Sequence, residues 1–276
     1  MAVTNFISSI WSARLNEGFK KALVYGNCVN NDYEGEIKGA GSTVKINSVG
    51  AVTIDNYDKT KGINKPQELD SSQSTLTIDQ AKYFNFQVDD IDKAQANVDL
   101  LDVGIKEASY GLANVADQYI ANFYTEVKAG NTIGDDTTPI VPTIANAYDY
   151  LIDLGVILDE NSVSEIDRFV VVPSWFYGLL LKDPRFTKEI DIMRTGFVGN
   201  IDNMAVYKSN NVPNTSGEKY KIIAGQKSAI SFAGQVDSVE AYRPESQFSD
   251  AVKGLQVYGA KCIKPEGIAV LTANRK

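Results

Sequence analysis

The chain has 276 residues, 43% hydrophobic and 22% charged, with a formal net charge of −8 and a sequence pI of about 4.8. That length and balance allow one large or two ordinary globular domains with a sizeable core, and the acidic excess argues against general nucleic-acid binding, which needs clustered Lys and Arg to displace counterions. There is no histidine, which removes Ser-His and Cys-His nucleophile pairs and every His-ligated metal.

Residues 1–32 read as an N-terminal arm. Ile7, Trp11, Leu15 and Phe19 recur every four residues, the spacing of an amphipathic packing helix. Arg14 and Glu17 interrupt the unbroken apolar core that a secretory signal requires. No run of about 18 apolar residues occurs, so no transmembrane helix is expected. Cys28 and Cys262 lack C-x-x-C spacing and read as two buried free thiols.

Residues 33–88 read as a long two-stranded β-hairpin. In STVKINSV, Val44 and Ile46 fall on one face and Thr43, Lys45 and Asn47 on the other. A polar stretch, DKTKGINKPQELDSSQS, forms the connection, and TLTIDQAKYFNFQV returns as the second strand, with Phe84, Phe86 and Val88 sharing a face. An isolated ribbon of this length is only marginally stable, and its edges invite pairing. It must lie either on the body of its own chain or on a neighbour.

Residues 89–138 carry a long helix. Ile91, Ala94, Val98, Leu101, Ile105, Ala108, Leu112, Val115 and Tyr119 follow in steps of three and four. A coiled coil gives the same stripe, but the small Ala94 and Ala108 suit close packing on a sheet. Gly104 and Gly111 are the weak points. Residues 139–234 read as α/β: a helix with Ala147, Leu151, Leu154 and Leu158 in its stripe, then a buried strand FVVV, then a helix begun by Pro173 and capped by Ser174. Residues 235–276 return to strands.

The densest acidic stretch, QVDDID, holds Asp89, Asp90 and Asp92. Converging carboxylates suit a hard divalent cation, but the D-x-D-x-D-G spacing of a calcium loop is missing. Asp89 or Asp90 as cap of the long helix, accepting its first amide N–H groups, fits the change from strand to helix period. GAGS at 39–42 precedes a strand and has no following Lys-Ser/Thr, so it reads as a turn. PSWFYG reads as a helix packed on a core. At the hairpin tip, Lys59, Lys61, Lys65, Glu68 and Asp70 bring both signs close together. They read either as a solvated tip or as salt links to a neighbouring copy. No catalytic constellation, cofactor site or metal site emerges.

The order of parts resembles tailed-bacteriophage major capsid proteins of the Hong Kong 97 type. IWSARLNEGFKKALVYGNCVNNDYEGEIKGAGSTVKINSVG is similar to their arm and first hairpin strand, and LTIDQAKYFNFQVDDIDKAQAN to the second strand entering the spine helix. ANVADQYIA and GLQVYGAKCIKPEGIAVL are further similar stretches. The resemblance implies an α+β capsid fold with an N-terminal arm, a β-hairpin extended loop, a spine helix in a peripheral domain, and an axial domain (139–234), with 235–276 returning to the peripheral domain. It implies a structural protein with no catalytic residues. Its copies would self-assemble into hexamers and pentamers of an icosahedral shell around double-stranded DNA, without sequence-specific binding and without a membrane. The shell would form in the host bacterial cytoplasm. Because the chain starts directly at the arm, a separate scaffolding protein is expected, with a portal protein as a further partner. An encapsulin-like compartment of the same fold is the alternative, and a carboxylate-based α/β enzyme a more distant one.

Overall fold

The computed structural model describes residues 15, 23–33, 43–49, 54, 57, 59, 71–89, 100–183, 185, 199–245 and 248–275. The strands are β1 (Thr43–Val49), β2 (Ser71–Thr77), β3 (Gln80–Asp89), β4 (Thr132–Ile133), β5 (Arg168–Val172), β6 (Asn200–Ile201), β7 (Met204–Lys208), β8 (Tyr220–Gln226), β9 (Ile230–Tyr242), β10 (Ser249–Cys262) and β11 (Ile268–Ala273). The helices are α1 (Tyr25–Cys28), α2 (Leu100–Ala121), α3 (Ala147–Glu160) and α4 (Ser174–Leu181).

β1 and β2 pair antiparallel, from Thr43 opposite Thr77 to Val49 opposite Ser71. As the alternation requires, Val44, Ile46 and Leu76 are buried while Thr43, Lys45 and Thr75 are exposed. The apolar face lies on Ala233 and Val257, so the root of the hairpin is docked on its own chain. The second strand is not continuous, however. The chain leaves the hairpin at Ile78–Asp79, and β3 joins a different sheet of order β3-β10-β9, all antiparallel. The break falls where the chain crosses β10: a Cβ on Gly259 would overlap the Thr77 carbonyl oxygen. Only glycine permits that backbone approach. Phe84, Phe86 and Val88 do share a face, but it is the face of this second sheet, packed in the core with α2.

α2 buries Leu101, Ile105, Leu112, Ala113, Ala116 and Ile120, and with them Ser109 and Asp117. The expected stripe drifts at its C-terminal end: Val115 is 39% exposed while Ala116 is fully buried. Steps averaging 3.5 residues slip progressively against the 3.6-residue turn of a straight helix. Gly104, read from sequence as a weak point, is the place of closest approach to the sheet, since a Cβ there would overlap the Phe86 ring.

The third sheet has six strands in the order β4-β11-β8-β5-β7-β6. β5 is buried at every residue, as is β11, because each face of this sheet meets a separate core. Phe169, Val171, Ile223, Ile268 and Val270 point into the core shared with α2. Val170, Val172, Ile222, Ala224 and Leu271 point into the core under α3 and α4, where Ala147, Leu151, Leu154 and Leu158 lie. β6 and β7 are joined by Asp202–Asn203, at φ 48° and 59°, a two-residue turn with the positive φ pair of type I′.

Two groupings differ from the sequence reading. Residues 230–234 open β9 and belong with β10 and β3. β11, expected among returning strands of 235–276, instead inserts between β4 and β8. Its run IAVLTA, apolar except for Thr272, is buried throughout and needs both faces covered, which only the interior of the six-stranded sheet supplies. Ser174 is also not the cap of α4. Pro173 occupies that position in extended conformation, and the Ser174 hydroxyl donates to Asn210 Oδ1 at 2.7 Å.

Candidate functional site

Three features could serve assembly: the end of the N-terminal arm, the hairpin, and the passage from β3 to the long helix. The arm ends in a clasp. Asp117, 1% exposed on the inner face of α2, accepts the backbone N–H of Val24 at 2.7 Å and of Gly26 at 3.1 Å. Its carboxylate therefore satisfies amide donors at the start of α1 that no intrahelical partner reaches. Burial pushes the Asp117 carboxyl up to about 6, against the downward pull of the bonded Val24, Gly26 and Tyr25 amides. Beyond α1, Asn30 bridges to β9: its N–H donates to the Ile230 carbonyl at 3.0 Å, and its carbonyl accepts from Phe232 N–H at 2.8 Å. The arm is thus stitched to the long helix and the second sheet at once.

Sequence reading missed Asp117. The available signal was its position, four residues after Ala113 and three before Ile120, which puts a carboxylate inside the apolar stripe. The two thiols sit as expected: Cys28 and Cys262 are buried and free. Burial raises the Cys28 thiol well above its usual range and pushes Cys262 up to about 12.

At the hairpin, Lys261 Nζ donates to the Thr75 carbonyl at 2.9 Å, adding a polar tie to the apolar root. Farther out, Ile54 is 94% exposed and Tyr57 70% exposed. Of the tip charges, Lys59 is exposed, while Lys61, Lys65, Glu68 and Asp70 lie outside the described residues. Asp89 is the last residue of β3, opposite Ser249, and Asp90 lies outside the described residues. The aromatic cluster of α4 is core material: Phe176 is fully buried, and Trp175 meets Phe176 and Tyr220 edge-on at 5.7 and 5.5 Å. Among the described residues no group of His, Cys, Asp or Glu is arranged to hold a metal ion, and no helix is long and apolar enough to cross a membrane.

An arm clasped to a long helix, a projecting hairpin and two sheets sharing a core define the capsid class of α+β folds. The phage capsid protein family matches residues 73–271, most of the chain, and the protein belongs to that family. It is a structural capsid protein of a bacteriophage virion. A structure from Mycobacterium phage Che8 is 28% identical over 90% of both chains, with a TM-score of 0.73. The capsid of cyanophage P-SCSP1u is 15% identical, covering 90% of this chain and 86% of that one, with a TM-score of 0.65. A virus-like particle from Pyrococcus furiosus is 15% identical over 96% and 99%, with a TM-score of 0.62. No curated protein sequence matches the chain.

Proposed function

We propose that this chain is a major capsid protein of the Hong Kong 97 type, whose copies close an icosahedral shell of hexamers and pentamers around double-stranded DNA. The observation that carries the reading is the hairpin. Its root is buried on the chain's own β10, while Ile54 and Tyr57 beyond it stand out in solvent. Large apolar side chains presented on such a projection gain burial only from another molecule. In a closed symmetric assembly a neighbouring copy supplies it.

In this reading α2 with the β3-β10-β9 sheet forms the peripheral domain, and the six-stranded sheet with α3 and α4 forms the axial domain. Lys59, Lys61, Lys65, Glu68 and Asp70 make salt links to the neighbour. Asp89 and Asp90 meet the start of the spine helix and set its angle to β3. A scaffolding protein and a portal protein complete assembly in the host cytoplasm. The net charge of −8 leaves the packaged DNA unattached to the wall.

Size measurement and negative-stain imaging of the purified protein, alone and co-expressed with the scaffolding partner, test the shell. Subunits that stay monomeric or dimeric in every condition would sink it. Nuclease-protected DNA inside the particles supports the phage reading, whereas protein cargo would favour the encapsulin-like compartment. Removing residues 59–71 leaves a folded subunit that assembles poorly; normal shells from that deletion would remove the hairpin tip from the interface.

A further inference from the structure

At one end of α3 the chain has an apolar cavity of about 660 Å³, lined among others by Pro142, Ile144, Trp175 and Leu179, with Lys182 and Arg275 among its walls. Neither cation has an ion-pair partner among the described residues. The indole Nε1 of Trp175 is buried and has no acceptor there either. Ile144 is 41% exposed.

At the other end of α3 the chain presents the complement. Ile166 is 72% exposed and is flanked by Glu165 and Asp167, both exposed. The turn that carries it is held rigidly from beneath. Arg168, 3% exposed, donates through Nε to the Ser164 carbonyl at 2.9 Å and through its terminal nitrogen to the Val163 carbonyl at 2.5 Å. The same guanidinium pairs with Asp159 at 2.7 Å. The Asp167 carbonyl accepts from Lys227 N–H at 3.1 Å, and Glu165 Oε2 accepts from Asn203 Nδ2 at 3.0 Å. A buried arginine spent on bracing a surface turn preorganises what that turn displays.

We propose that Ile166, between its two carboxylates, is the knob that enters the Ile144–Trp175–Leu179 cavity of the next copy of this chain, with Glu165 and Asp167 facing Lys182 and Arg275. Apolar tip meets apolar wall, and acidic flanks meet basic ones. The 14 residues of α3 separate hole from knob by roughly 20 Å at 1.5 Å per residue. The two patches are different surfaces of one subunit, so the contact is head-to-tail, the kind that closes rings. A nucleic-acid phosphate would satisfy the two cations but leave the apolar walls uncovered. The proposal rests on the shell reading and names a contact within it.

The test is disulfide trapping in the full chain with Ile166→Cys and Ile144→Cys combined. The native thiols stay out of the reaction because both are buried. In assembled particles, mild oxidation gives a ladder of covalent multimers in the double variant and none in either single variant, since only Cα atoms closer than about 7 Å can be bridged. Ile166→Asp lowers particle yield by on the order of tenfold or more without changing the melting of the free subunit. Particles that form normally but give no ladder, or a ladder from Ile144→Cys alone, overturn the knob-and-hole contact and leave the shell reading standing. If the unmodified chain forms no particles, the shell reading fails and takes this contact with it.

Discussion

The clasp at Asp117 makes a pH dependence that can be worked through. The carboxyl titrates at about 6 in the folded subunit, against an ordinary value of 3.8. The native state therefore holds its proton more tightly than the unfolded chain between those values. The contribution from this group is fully present below the ordinary value and is lost as pH rises through about 6. Each tenfold difference in proton affinity is worth about 1.4 kcal/mol, so the whole effect is about 3 kcal/mol. Linkage places about 1.3 kcal/mol of it between about pH 7 and about pH 5, where ordinary carboxylates stay ionised. Asp117→Asn keeps the shape and cannot titrate. Urea unfolding of the free subunit, followed at constant slope, should show the unmodified chain gaining that amount relative to Asp117→Asn as pH falls across the window. At neutral pH Asn offers one acceptor to the two N–H groups of Val24 and Gly26. Losing one charge-assisted bond costs about 1.5–3 kcal/mol, and trypsin should cut faster at Lys20 and Lys21, just before the clasp. If the two proteins run parallel across the pH window, Asp117 is not a desolvated carboxylate and the clasp is misread.

One helix gives a paired test of packing against propensity. Gly111→Ala, with nothing near its new Cβ, should stabilise the subunit by up to about 1 kcal/mol, whereas Gly104→Ala must displace the Phe86 ring and forfeit that gain, a difference of about 2 kcal/mol in chemical denaturation. Gly259→Ala forces the Thr77 carbonyl off β10 and should destabilise the hairpin root by about 1–3 kcal/mol, read as a lowered thermal midpoint; an unchanged midpoint would mean that the crossing is loose. In the folded subunit neither Cys28 nor Cys262 should react with a thiol reagent at about pH 8, and both should react once guanidinium unfolds the chain. Arg168→Met should expose the 163–167 turn to protease and lower stability by about 1–3 kcal/mol, because two partly buried carbonyls lose their charged donor while the half-exposed Asp159 stays solvated.

Local pattern determined most elements of this protein. Alternation in 43–46 set which side chains of the hairpin root are buried. The spacing of Ala147, Leu151, Leu154 and Leu158 set the inner face of α3, and the order of arm, hairpin, long helix and α/β segment carried the resemblance to capsid proteins. What the sequence did not determine was partnership. TLTIDQAKYFNFQV reads as one strand because side-chain alternation is the same whichever sheet a strand joins; only the backbone contact at Gly259 divides it between two. IAVLTA shows that both its faces are covered, but which strands flank it depends on contacts about 50 and about 140 residues away in the chain. Asp117 passed unnoticed beside an unbroken apolar stripe, and became a clasp only when the chain at Val24–Gly26 was brought to it. Periodicity reports the environment of a side chain, and the tertiary structure alone decides which partner provides it.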